Sequence, residues 1–197
     1  MSIVYRYGSN LYINLTNRCP CSCIFCIRDS TPKLGDADSL WLKEEPTSDQ
    51  IMEALKAADA ESAGQIVFCG YGEPTERLGV ILETAPRIRS ELKKTVRLDT
   101  NGLGNLINGR DIVPELAEVL DSISISLNAP DAESYKKITR CRFDAEEAYT
   151  SLMGFIREAK ERIGAVTVSI VGGYQSPEDE EKCRLIAEEL GVRFRVR

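Results

Sequence analysis

The 197-residue sequence contains no histidine. That absence removes His-based zinc sites, the Ser-His-Asp and Cys-His nucleophile systems, and the side chain most used for proton transfer near neutral pH. Catalysis would have to come from cysteine, carboxylate, tyrosine, lysine or a bound cofactor. No apolar run approaches the ~20 residues needed to span a bilayer. The start, Met1-Ser2-Ile3-Val4-Tyr5-Arg6-Tyr7, lacks the basic and then apolar stretch of a signal peptide. An excess of positive charge is missing too. With 25 Lys and Arg against 31 Asp and Glu, the net charge is −6, which disfavours generic nucleic-acid binding through a basic surface. Apolar residues at 43% and charged residues at 28% describe an ordinary globular chain. Without a repeat, low-complexity tract or linker, a single domain over 1–197 is expected. Seven unevenly spread cysteines fit a disulfide framework poorly, and free thiols point to the cytoplasm, with no membrane partner.

Strand and helix patterns alternate along the chain. Strands are expected at Leu11–Leu15, Gln65–Cys69, Thr95–Asp99, Ser122–Leu127, Val166–Val171 and Val192–Val196, with Ile3–Tyr7 as a hairpin partner of the first across Gly8-Ser9-Asn10. Helical periods run from Thr47 or Ser48 to about Ala60, over Glu76–Leu92 with Pro86 as a break or kink, and near 111–120, 144–162 and 178–190. Strands separated by helices imply right-handed crossovers and a parallel sheet. The strands alternate in polarity, however. Ser122, Ser124 and Ser126 interleave with Ile123, Ile125 and Leu127; Thr95, Arg97 and Asp99 sit opposite Val96 and Leu98; Arg193, Arg195 and Arg197 sit opposite Val192, Phe194 and Val196. A strand period of two puts each polar set on one face. The expected fold is therefore α/β, an open (β/α)6 partial TIM barrel with a parallel six-stranded sheet and a polar lumen. An antiparallel sheet with one wet face would show the same alternation.

The densest chemistry lies in Arg18-Cys19-Pro20-Cys21-Ser22-Cys23-Ile24-Phe25-Cys26. Cys19, Cys23 and Cys26 stand in C-x3-C-x2-C spacing. Three thiolates on one loop can hold three irons of a four-iron, four-sulfur (4Fe-4S) cube and leave the fourth iron open, whereas electron-transfer clusters normally take four cysteines. Competing readings are tetrahedral zinc, which usually draws paired knuckles, a thiol–disulfide pair at Cys23 and Cys26, and a purely structural cluster with Cys21 as fourth ligand. Cys21 reads as a spare thiol. Cys69, Cys141 and Cys183 read as small core or surface residues, with Cys69 at a strand end the most suspect.

The motif resembles the cluster loop of radical S-adenosylmethionine (radical SAM) enzymes, and other segments extend the resemblance from Leu11 to the last strand. Cys69-Gly70-Tyr71-Gly72-Glu73-Pro74-Thr75 is similar to the family's Gly-Gly-Glu-Pro motif, with Tyr71 in place of a glycine. The resemblance implies a 4Fe-4S cluster on Cys19, Cys23 and Cys26, with S-adenosylmethionine (SAM) on the open iron. It implies an aromatic contact from Phe25 to the adenine and an acceptor for the SAM ammonium at Gly72-Glu73. Polar contacts would come from Asp99 and Asn101 in Asp99-Thr100-Asn101-Gly102, and from Ser126 and Asn128 in Ser126-Leu127-Asn128. The family's glycine motif after the fifth strand is matched only loosely by Val171-Gly172-Gly173. Length and the Tyr-Gly-Glu-Pro-Thr motif look most like small radical SAM proteins associated with TatD hydrolases, with activating enzymes of glycyl-radical proteins as a second similar group. A reductant of flavodoxin or ferredoxin type and a TatD-family hydrolase or other substrate protein are the partners so implied. No further cysteine triad follows, so auxiliary clusters are not expected.

Substrate candidates are Arg97, Arg193 and Arg195, whose guanidiniums could bind a carboxylate or phosphate from the lumen. Terminal arginines also protect a free sheet edge. The 29–46 stretch, with Trp41 and Leu42 amid charges, is a candidate lid. Lys136, Lys137, Arg140 and Arg142 form a local basic patch, read as a solvated helix face or an anion contact.

Overall fold

A computed structural model describes residues 2–29 and 34–197. Seven strands form one sheet in strict sequence order. β1 (Val4–Tyr7) and β2 (Asn10–Ile13) make an antiparallel hairpin in which Val4 faces Ile13 and Tyr7 faces Asn10. Gly8 turns it at φ 59°, a left-handed conformation that costs a glycine little. From β2 onward every pairing is parallel, through β3 (Ile66–Phe68), β4 (Val96–Thr100), β5 (Ser122–Ser126), β6 (Val166–Ile170) and β7 (Arg193–Val196). The six-stranded parallel expectation holds, with β1 added as an antiparallel edge. β1 and β7 are the two ends of the sheet, so the barrel is open.

The outer layer consists of α1 (Ser48–Ala57), α2 (Leu78–Arg87), α3 (Gly104–Asn108), α4 (Val113–Val119), α5 (Ala132–Thr139), α6 (Ala145–Arg162) and α7 (Pro177–Glu189). The period-two alternation resolves as expected. Leu98, Ile123, Ile125, Val168 and Ile170 are buried in the core beneath the helices, while Ser122, Ser124 and Ser126 are half-buried on the other face. On α6 the buried residues Ala148, Leu152, Phe155, Ile156 and Ala159 repeat at helical spacing, which gives the helix one apolar stripe. Pro86 lies inside α2, and a π turn over Ile88–Leu92 follows it. The proline removes one helical donor and the chain rewinds locally instead of stopping. The short helix α3 was not expected. α5 also lies outside the expected helical periods; the Asp131 side chain opens it by accepting from Ser134 N.

Residues 30–33 of the candidate lid lie outside the described residues. The remainder is a pinned strap. Ala37 and Leu40 pack with Tyr5 and Tyr71, and the buried Asn14 side chain donates to Leu40 O at 2.6 Å. Among the described residues no helix is long and apolar enough to cross a membrane. α1 opens on a reciprocal capping box, Thr47 Oγ1 accepting from Gln50 N and Gln50 Oε1 accepting from Thr47 N. Thr47→Ala should therefore cost about 1 kcal/mol in denaturant unfolding, with the slope m unchanged.

Candidate functional site

The parallel strands all end at one rim, and the loops leaving them build the site. β2 runs into Asn14-Leu15-Thr16 and then the cysteine loop. Asn14 Oδ1 accepts from Tyr71 N at 3.3 Å, and Arg18 O accepts from Glu73 N at 2.8 Å. Those bonds fasten the start of the cysteine loop to the loop after β3. The other flank of the cysteine loop is stitched to the end of α5: Ser22 N donates to Thr139 O at 3.0 Å, Ile24 N to Ile138 O at 3.0 Å, and Arg142 N to Pro20 O at 2.8 Å. Cys26 N returns to Cys23 O at 3.0 Å, a tight turn that places both thiols on one short arc.

All seven cysteines are free thiols, with Cys19, Cys23 and Cys26 partly exposed and Cys21 buried. Hydrogen bonding from Cys21 holds the Cys19 and Cys23 thiols below their ordinary range. Hydrogen bonding shared with Cys19 and Cys23, together with burial, pushes the Cys21 thiol far above its ordinary range. Burial pushes Cys26 up, with Arg28 opposing. Thiolates are the ligand form, and the shifts of Cys19 and Cys23 run toward it while that of Cys21 runs away from it. Asn101 Nδ2 approaches Cys19 Sγ at 3.9 Å and Cys21 Sγ at 3.8 Å. Desolvation pushes Cys69 up to about 12, and Cys141 and Cys183 are buried in the core. Among the described residues no three Cys, Asp or Glu side chains are gathered closely enough to hold one metal ion.

Glu73 is the buried carboxylate of the rim. Its Oε1 accepts from Thr75 N (3.1 Å), Thr75 Oγ1 (2.8 Å) and Thr100 Oγ1 (2.7 Å), and its Oε2 from Asn101 N (2.7 Å). Burial raises its pKa while these donors pull it back. A carboxylate has about four lone-pair sites. Oε2, with one partner, keeps room for a cationic donor. Across the rim, Asn128 follows β5 in a left-handed conformation at φ 62°. Asn128 Oδ1 and Ser169 Oγ are both buried and have no hydrogen-bond partner among the described residues. Asn128 N donates to Ser169 O at 3.2 Å, so the two orphans are neighbours. The Tyr135 hydroxyl is a third buried orphan, and its surroundings include Cys21 and Cys23. Unpaired buried polar atoms cost roughly 1–3 kcal/mol each; a fourth orphan, Thr84 Oγ1, lies within α2, while Asn128 and Ser169 at the strand ends and Tyr135 near Cys21 and Cys23 fit a site completed by a polar bound group.

The remaining sequence-predicted residues divide in two. Phe25 meets Tyr174 edge-on, with ring centroids 5.4 Å apart. Asp99 faces the lumen but is engaged by Arg97, Nε to Oδ1 at 2.7 Å and an amino nitrogen to Oδ2 at 3.2 Å. Arg97 also reaches Tyr12 and Gln65, so it braces the lumen wall. Ser126 Oγ lies 3.0 Å from an Arg197 amino nitrogen. Arg193 and Arg195 pair in register with Thr167 and Ser169 and are exposed. No ion pair engages Arg193, Arg195 or Arg197 among the described residues. Sequence reasoning missed Tyr174, although an aromatic directly after Gly172-Gly173 was a legible signal. It also missed Tyr135, which no local pattern marks.

Comparison with known proteins places this geometry. The family model of the radical SAM superfamily matches residues 13–186. Curated relatives include a GTP 3′,8-cyclase of Corynebacterium glutamicum, 33% identical over 144 residues that cover 68% of this chain and 35% of the relative. Another, from Peptoclostridium acidaminophilum, is 26% identical over 190 residues, covering 93% of this chain and 54% of the relative. The chain thus spans about a third to a half of the length of these relatives. Among solved structures, Streptococcus suis SuiB bound to S-adenosylmethionine is similar with TM-score 0.68 and 18% identity, over 94% of this chain and 39% of that one. At that identity the likeness speaks for the fold.

Proposed function

The chain belongs to the radical SAM superfamily, and from that premise we propose that it reductively cleaves SAM and removes a hydrogen atom from an anionic small molecule held in the lumen. The family uses a 4Fe-4S cluster and SAM, and when bound the cluster supplies the electron that breaks the sulfonium carbon–sulfur bond. Cys19, Cys23 and Cys26 would hold the cluster. Glu73 Oε2 would accept from the SAM ammonium, Asn128 and Ser169 would satisfy their orphaned atoms on its polar parts, and Phe25 with Tyr174 would flank the adenine. Asn101 bridges the two halves, its backbone on Glu73 and its amide on the cysteine thiols. The observation that carries the reading is this convergence at one rim of three partly exposed thiols on one loop, a buried carboxylate with a spare acceptor site, and unpaired polar atoms.

The anionic substrate class rests on Arg193, Arg195 and Arg197, guanidiniums without ion pairs along a lumen wall that matches phosphate and carboxylate chemistry. The relatives' name makes GTP the first compound to assay. A cytoplasmic setting and a companion hydrolase of the TatD family rest on cysteine usage and on the resemblance, respectively.

The test is anaerobic reconstitution followed by iron, sulfide and 5′-deoxyadenosine determination. About four irons per chain and reductant-dependent 5′-deoxyadenosine are expected. Fewer than about three irons in the reconstituted chain would argue against the cluster. Arg195→Ala should weaken binding of the anion about tenfold without lowering iron content, because it removes one charged contact. Unchanged affinity would take Arg195 off the recognition surface.

A further inference from the structure

We propose that Asn101 and Tyr135 are positioning residues for the cluster, donating hydrogen bonds to the sulfurs of Cys19 and Cys23 respectively and so holding its reduction potential up. This rests on the cluster assignment above. The two donors reach the cysteine loop from different elements. Asn101 directly follows β4. Tyr135 belongs to α5, the helix whose end is bonded to residues 20–24. Asn101 is held in one orientation. Its backbone N donates to Glu73 Oε2 at 2.7 Å, and its Oδ1 accepts from Leu103 N at 2.9 Å. With the oxygen so engaged, the side-chain nitrogen faces Cys19 Sγ at 3.9 Å and Cys21 Sγ at 3.8 Å. That nitrogen carries only donors, so it brings positive polarity to the sulfurs.

Tyr135 is completely buried, and its hydroxyl has no hydrogen-bond partner among the described residues. Its ring packs against Tyr149 with centroids 5.9 Å apart, yet the Tyr149 hydroxyl reaches Ala129 O at 3.4 Å. The groups bearing on the Tyr135 hydroxyl include Cys21, Cys141, Cys23 and Glu73. Three of the four are engaged elsewhere. The Cys141 thiol meets Phe143 O at 3.7 Å, and Cys21 Sγ meets the Asn101 amide. Glu73 accepts from Thr75, Thr100 and Asn101, and its spare site is the one proposed for the SAM ammonium. Cys23, a proposed ligand, is left as the acceptor. A neutral thiol accepts weakly, whereas hydrogen bonds to an ionised acceptor are about twice as strong as neutral ones. Hydrogen bonds to the sulfurs help set the potential of an iron–sulfur cluster. Reduction adds negative charge at those sulfurs, so each donor favours the reduced form.

The experiment is a redox titration of the anaerobically reconstituted chain, with dithionite as reductant and the reduced cluster read by electron paramagnetic resonance. SAM is left out, so any contact these residues make with it does not enter. Tyr135→Phe deletes the hydroxyl and keeps the ring. Asn101→Asp keeps an oxygen for Leu103 N but turns a second oxygen toward the sulfurs, and Asn101→Ser withdraws the donor without adding charge. At a fixed potential each variant should hold about tenfold less reduced cluster, a shift of about 59 mV for a one-electron couple. Tyr149→Phe removes a hydroxyl that already has a carbonyl partner and should leave the potential where it is. A second measurement needs no cluster. Losing an unpaired buried hydroxyl should raise the Tm of the cluster-free Tyr135→Phe chain by roughly 2–4 °C, whereas Tyr149→Phe should lower it. A parental potential in Tyr135→Phe or in either Asn101 variant would overturn the proposal. So would an equal shift in Tyr149→Phe, or a cluster-free Tyr135→Phe chain less stable than the parent, which would mean that the hydroxyl is satisfied within the fold. A parent that takes up no iron would strike the cluster assignment itself; a loaded parent whose variants do not shift would strike this proposal alone.

Discussion

Cys23→Ala will abolish cluster binding: iron after reconstitution should fall from about four per chain to below about one, and SAM cleavage by at least about a thousandfold. Cys23 is the middle of the three proposed ligands, and its carbonyl closes the turn by accepting from Cys26 N. Hydrogen bonding with Cys21 also holds its thiol below the ordinary range, against the opposing effect of burial. Neither the turn nor the stitching to α5 uses the Cys23 side chain, so the apo fold should persist and far-ultraviolet circular dichroism should match the parent. Cys21→Ala supplies the contrast. Its thiol is buried, and its interactions with Cys19 and Cys23 together with burial push its pKa far up, so that variant should retain most of its iron. Loss of iron in Cys21→Ala with retention in Cys23→Ala would reverse the ligand assignment. Equal loss in both would make the cluster four-coordinate and close the position that SAM needs.

Much of this architecture was legible because β-strands report their two faces directly. The Ser122–Ser126 alternation told which side was wet, and the intervening helical periods told that the sheet was parallel. The hairpin at Gly8 was legible from turn chemistry. The grouping of Cys19, Cys23 and Cys26 was legible because thiols on one loop need no tertiary information to lie together. What could not be read was contact between distant segments. Nothing local signals that Thr139 and Ile138 carry the cysteine loop, that Asn14 pins Leu40, or that Tyr135 ends with an orphaned hydroxyl beside Cys21 and Cys23. Arg97 is an intermediate case. Arg97 and Asp99 stand two residues apart on a strand and so share a face, and the ion pair that joins them was implicit in that spacing. Arg193, Arg195 and Arg197 have the same spacing but no intervening carboxylate, which is why they remain unpaired.

Gly72→Ala should destabilise the chain by about 3 kcal/mol and lower Tm by roughly 6–12 °C. A Cβ at this position would lie 2.3 Å from Thr16 O and 2.6 Å from Arg18 O. Both are backbone atoms and cannot swing aside as a side chain would. Relief would require the loop after β3 to back away from the start of the cysteine loop. That movement would stretch the 2.8 Å bond from Glu73 N to Arg18 O and carry Glu73 off the donors of Thr75, Thr100 and Asn101. Buried donors left unpaired add to the steric cost, and a displaced carboxylate should also lower SAM affinity by about tenfold or more. Gly154→Ala is the matched control. That glycine sits in α6 with nothing within 4 Å of the added carbon, so the same substitution should stabilise by about 0.5–1 kcal/mol through helix propensity alone. Parallel thermal unfolding of the two variants checks the prediction. Opposite signs are expected, and a neutral Gly72→Ala would mean that the two loops are not locked together as drawn.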